Sequence, residues 1–112
     1  MNVCIVSAWC RAEVRVATKG VAPEGRVALV AAVDGYGSEV ELSPKCARRV
    51  AAFLDDSGQS TGLFDDVRVF RSEGGSALVT VAGFGVRVPY EGVQRLSGSI
   101  REAADICEGV SG

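Results

Sequence analysis

A chain of 112 residues, 47% hydrophobic and 23% charged, has the composition of a single globular domain. Its net charge of −2 disfavours a non-specific binder of nucleic-acid phosphates. Histidine is absent, which removes the commonest general base and metal ligand, and with it Ser-His-Asp and Cys-His catalysis.

Residues 2–17 read as one long strand. Alternation is clean from Cys10 onward, with Cys10, Ala12, Val14 and Val16 inward and Arg11, Glu13 and Arg15 outward. The first half is largely apolar on both faces, with Val3, Ile5 and Trp9 on the outward side. It needs cover there or forms a sticky patch. Two glycines and a proline make 18–26 a loop. Residues 27–33 are apolar on both faces, as in a central strand, and Asp34-Gly35-Tyr36-Gly37 signals a hairpin into a strand at 39–42, with Val40 and Leu42 inward.

Ser43-Pro44 opens a helix over 44–56, because serine caps free amides and proline suits the first helical position. Ala47, Val50, Phe53 and Leu54 share its apolar face, with Cys46 at the edge. Asp55 and Asp56 close it, although two carboxylates at a C-terminus oppose the helix dipole. Residues 57–62 read as a Gly/Ser loop.

The second half repeats this order. Residues 66–71 form a strand with Val67 and Val69 inward, Glu73-Gly74-Gly75 turns the chain, and 76–82 form another strand. Gly83-Phe84-Gly85 leads into 86–88, and Pro89 starts a helix through Cys107. Its apolar face is Val93, Leu96, Ile100, Ala103, Ala104 and Cys107. The halves align in pattern: Ala28-Leu29-Val30 with Ala77-Leu78-Val79, Gly35-Tyr36-Gly37 with Gly83-Phe84-Gly85, and Leu54 with Ile100. The expectation is an α+β domain spanning 1–112, built from tandem β-β-β-α repeats with halves at 1–57 and 58–112. About six strands would form one mainly antiparallel sheet, with both helices packed on one face.

Asp34-Gly35, Val40, Leu42-Ser43-Pro44, Ala47, Ala51 and Leu54 resemble a pattern in short proteins of actinobacteria and their phages. There a β-meander ending in Leu-Ser/Thr-Pro leads into an Ala-rich helix. The resemblance covers residues 34–54 only, and the second half departs from it, with Val88-Pro89-Tyr90 in place of Leu-Ser-Pro. It implies a factor that modulates host or competing-phage machinery, and it carries no functional residue.

The chemistry-bearing residues are few. Cys4, Cys10, Cys46 and Cys107 are widely spaced without a C-x-x-C, so they read as reduced core thiols. Cys10, beside Arg11, is the best nucleophile candidate, yet it shares the inward face of its strand. The pairs Asp55-Asp56 and Asp65-Asp66 lack the spacing of a cation loop and read as solvated element ends. Cofactor and metal are therefore both expected to be absent. The N-terminus lacks the pattern of a secretory leader, and no apolar run reaches the length of a membrane span, which predicts a cytoplasmic protein.

What remains is surface. Arg11, Arg15, Arg68 and Arg87 fall on outward positions with Trp9 and Phe70, a combination suited to protein-interface anchors or to stacking single-stranded bases. Glu13, Glu39 and Glu41 interleave with them, so cross-strand charge pairing is the plain alternative. The sequence thus predicts a non-enzymatic interaction module that binds another protein through Val3, Ile5, Trp9, Arg11, Arg15 and Phe70. Single-stranded nucleic acid is the alternative partner. A homodimer is compatible with the open sheet edges.

Overall fold

Hairpin chemistry organises this chain, because several strands meet across turns of only two residues. The computed structural model describes residues 2–7, 12–21, 24–56, 61–72 and 74–109, with the backbone alone for 2–7. Its elements are β1 (Asn2–Ser7), β2 (Ala12–Lys19), β3 (Arg26–Val33), β4 (Tyr36–Leu42), α1 (Pro44–Asp55), β5 (Thr61–Phe64), β6 (Val67–Arg71), β7 (Ala77–Val81), β8 (Phe84–Val88) and α2 (Tyr90–Glu108). Val33 pairs with Tyr36 across Asp34-Gly35, Phe64 with Val67 across Asp65-Asp66, and Val81 with Phe84 across Ala82-Gly83. In the first and last of these turns both residues have positive φ, as in a type I′ turn: 53° and 85° for Asp34-Gly35, 49° and 88° for Ala82-Gly83.

The strands form two antiparallel four-stranded meanders, β1-β2-β3-β4 and β5-β6-β7-β8. The α+β class and the two helices match expectation, with helix bounds within a residue of those read from the sequence. The single sheet of about six strands does not. Two strands went unread, and both for local reasons. The span 2–17 is not one strand, because β1 folds back and pairs antiparallel with β2, Ser7 opposite Glu13 and Asn2 opposite Ala17. Alternation does not register a reversal of direction. Thr61–Phe64 begins in the expected loop at 57–62, yet it pairs with β6 through a two-residue turn. Glycine and threonine gave it the composition of a loop.

The expected packing of both helices on one sheet face is also corrected. Helix α2 packs on β1, β2 and β3, the sheet of the other half. Helix α1 contacts β3 and β4 of its own meander, β5 and β6 of the next, and α2 along its side. β7 and β8 pack against β2 and β3 without joining their sheet. The inner residues of both sheets and both helices consequently form one core cluster. It is built from small aliphatics: Val14, Val16, Val27, Leu29, Val50, Leu54, Val69, Val79, Leu96 and Ile100 are all at most 1% exposed. Removing one such side chain from water is worth roughly 1.5–3 kcal/mol.

Polar contacts fix how the helices meet. The guanidinium of Arg48, early in α1, donates to Asp105 at 2.6 Å and to Glu108 at 3.0 Å, late in α2. At the other end, Ser97 donates to Asp55 at 2.7 Å, and Arg101 forms an ion pair with the same carboxylate. The two helices are therefore antiparallel. The Ser43 hydroxyl accepts from the amide of Cys46 at 3.2 Å, capping α1 as its sequence predicts. The unfavourable aspartates at the other end of α1 are offset by cations from elsewhere, Arg101 on Asp55 and Arg71 on the Leu54 carbonyl.

Burial opposes ionisation of Asp55, but the Ser97 and Arg101 hydrogen bonds and the nearby Arg71 outweigh it and hold the carboxyl below its ordinary value. A carboxyl depressed in the folded state stabilises the fold above its unfolded value, near pH ~4, and loses that contribution as pH falls through the folded-state value. Asp55 is partly exposed, so the contribution is at most about 1 kcal/mol. In urea titrations, Asp55→Asn should unfold earlier than wild type at pH 7 and converge with it in strong acid. A gap that persisted in acid would place the role of Asp55 outside its charge. A second expectation concerns Ala82, whose positive φ disfavours a side chain that cannot hydrogen-bond locally. Ala82→Asn should raise stability by about 0.5–1 kcal/mol and the melting temperature by a few degrees.

Candidate interaction face

The outer face of the second sheet is set by register. Two cross-strand rows lie on it. One runs Leu63, Arg68, Thr80, Gly85 from β5 to β8, and its neighbour runs Thr61, Phe70, Leu78, Arg87. Alternate residues of these strands, Val67, Val69, Val79, Val81, Val86 and Val88, point into the core and are at most 2% exposed. The outward positions are therefore fixed by the burial of their neighbours. Leu63 is 64% exposed, Phe70 45% and Leu78 36%. Phe70 and Leu78 stand directly opposite one another, and Leu78 stands opposite Arg87. An apolar strip thus crosses the sheet between two arginines.

These arginines are not matched by carboxylates. Among the described residues Arg68 makes no ion pair, and Arg87 donates only to the Ser76 hydroxyl, at 3.4 Å. The described carboxylates at the rim are Asp65 and Asp66, in the β5–β6 turn. Asp65 lies against Cys46 of α1, whose thiol is pushed up by burial and by that contact.

The outer face of the first sheet is sealed by charge. Arg15 pairs with Glu13 at 2.6 Å, and Lys19 reaches both Glu39 and Glu41, the latter at 3.8 Å. Beneath them Ala28 and Ala32 are buried although they lie on the outward parity of β3. Gly37 on β4 has no room for a side chain: a Cβ there would overlap the Ala31 carbonyl oxygen.

Two of the six interface residues singled out in the sequence have described side chains. Phe70 lies at the centre of the second face. Arg15 lies on the first face and is engaged by Glu13. Val3 and Ile5 are on β1, with Val3 opposite Val16. Their side chains, like Trp9, Arg11 and Cys10, lie outside what is described. Because the chain reverses between β1 and β2, the parity of residues 3 and 5 no longer predicts that of 11 and 15. Of the six, the two with described side chains, Arg15 and Phe70, lie on the outer faces of different sheets. Leu63 and Leu78 were missed. Leu78 carried a signal, a leucine on the outward parity between Ala77 and Val79, whereas Leu63 was hidden at the border of the expected loop.

Cys4 and Cys10 have side chains outside what is described, whereas Cys107 and Asp55 are engaged within the fold. Cys107 is buried, donates to the Arg26 carbonyl at 3.2 Å, and has its thiol pushed up by burial. A raised thiol is a poor nucleophile at neutral pH. Asp55 is committed to α2. Among the described residues no helix is long and apolar enough to cross a membrane. Compared with known proteins, the chain matches no family model and no curated sequence.

If Phe70 and Leu78 belong to an open surface, losing them costs the fold little. Phe70→Thr with Leu78→Thr should stay within about 1 kcal/mol of wild type in urea unfolding. Val69→Ala, one position away on the inner face, should cost about 2 kcal/mol. Comparable losses in the two variants would mean that the strip is part of the core.

Proposed function

We propose that this protein is a non-enzymatic interaction module that binds another protein through the outer face of β5–β8. The observation that carries the reading is the Leu63–Phe70–Leu78 strip, exposed and bordered by Arg68 and Arg87. Aromatic and arginine side chains in this combination supply most of the energy at protein interfaces, and an apolar strip on an otherwise polar surface costs solubility unless it is covered. The contrast within the molecule supports the same surface, since the charged residues on the outer face of the first sheet pair with one another.

The order of elements further supports reading the two halves as an internal duplication, each a four-stranded meander followed by a helix. The positive-φ turns at Asp34-Gly35 and Ala82-Gly83 occupy corresponding places in the two meanders. On this reading, the second copy keeps its outer face open while the first has filled its own with ion pairs.

Affinity capture from cells of the native source tests the function. Wild-type protein should retain a specific partner, and Phe70→Ala should lose it while circular dichroism stays unchanged. Retention of the same partner by Phe70→Ala and by Leu78→Ala would remove this face from the interaction.

A further inference from the structure

We infer that the surface accepted by β5–β8 is an acidic protein segment, with an apolar anchor lying on Phe70–Leu78 and carboxylates meeting Arg68 and Arg87. This rests on the interaction reading above and adds the chemistry of the partner. The charge of the face points to it. The chain is negative overall at −2, yet the two rows carry arginine and no carboxylate, and the described acidic residues at the rim are Asp65 and Asp66 in the β5–β6 turn. Elsewhere the described arginines of the outer surface are often engaged: Arg15 with Glu13, Arg48 with Asp105 and Glu108, Arg101 with Asp55. Arg68 and Arg87 keep their bidentate hydrogen-bonding capacity, which suits carboxylate oxygens.

Geometry sets the spacing. Arg68 and Arg87 lie in adjacent rows and two strands apart, roughly 12 Å by strand and residue spacings, with Leu78 between them. An extended acidic segment spans that distance in about four residues, leaving an intervening side chain over the apolar strip. A second copy of this chain is disfavoured as the occupant. Two such faces brought together would set arginines against arginines with no carboxylate within the rows. Single-stranded nucleic acid would use the same cations, but a stacking platform needs successive rings, and the two rows hold one, Phe70.

The test uses the full chain and fluorescence anisotropy with three labelled probes. One is a short peptide alternating aspartate with leucine and phenylalanine. A sister peptide has lysine for aspartate, and the third probe is oligothymidylate. The acidic peptide should bind and the lysine peptide should not. Affinity should fall with added salt, and Arg68→Glu with Arg87→Glu should weaken it about tenfold or more. Phe70→Ala should weaken it independently. No binding of the acidic peptide, equal binding of the lysine peptide, or tighter binding of oligothymidylate would each overturn the assignment. So would a concentration-dependent dimer in sedimentation that Phe70→Glu disperses. Failure here is separable from failure of the interaction reading. A cellular partner whose capture needs Phe70 but survives reversal of both arginines leaves the face as an interface and rejects the acidic partner.

Discussion

The packing of each half onto the other is the constraint from which the rest follows. Helix α2 ends the second half of the chain but lies on β1, β2 and β3 of the first. Helix α1 ends the first half and touches β5 and β6 of the second. Helix α1 also touches β3 and β4 of its own meander, so the two halves share one core. The duplication-like order of elements is thus compatible with one cooperative domain. The small residues that dominate the interior, with Ala47, Ala51, Ala103 and Ala104 all buried, allow close approach of the elements. The polar contacts Arg48–Asp105, Arg48–Glu108 and Asp55–Arg101 then set the antiparallel alignment of the helices.

That arrangement also decides which surfaces remain. With the inner faces of both sheets and the apolar stripes of both helices turned to one core, the outer sheet faces are left to the sequence of the alternate residues. In the first sheet these include Glu13, Arg15, Lys19, Glu39 and Glu41, which form ion pairs with one another. In the second they are Leu63, Arg68, Phe70, Leu78 and Arg87, which do not. A surface whose polar groups are satisfied internally gains little from a partner, because binding must replace contacts already made. A strip of exposed Leu and Phe between unpaired arginines has that gain still available.

Much of the fold was legible from spacing. The inward residues of β2, β6 and β7, the apolar faces of α1 and α2, and the Ser43-Pro44 helix start all lie where periodicity and capping place them. The errors fell where the local signal was silent about direction or composition. The run from residue 2 to residue 17 alternates although the chain reverses within it, and β5 carries the glycine and threonine of a loop. For the candidate site, Phe70, Arg68 and Arg87 were readable from parity alone. The role of Arg15 was not, since two outward charges on one strand look the same in sequence whether they bind each other or a partner.

By itself, then, the amino-acid sequence determined the faces of its helices and most of its strands and the places where the chain turns. Those depend on residues within a few positions of one another, through the periods of the helix and the strand and the φ preferences of turn residues. Only the tertiary structure decided that the strands divide into two sheets, that each helix reaches the other half, and that one outer face is closed by ion pairs while the other stays open. These outcomes depend on contacts such as that of Arg48 with Glu108, separated by 60 positions. No local pattern specifies them, because the same charged residue is compatible with solvent, with a neighbour or with a distant helix until the core has brought its partner into reach.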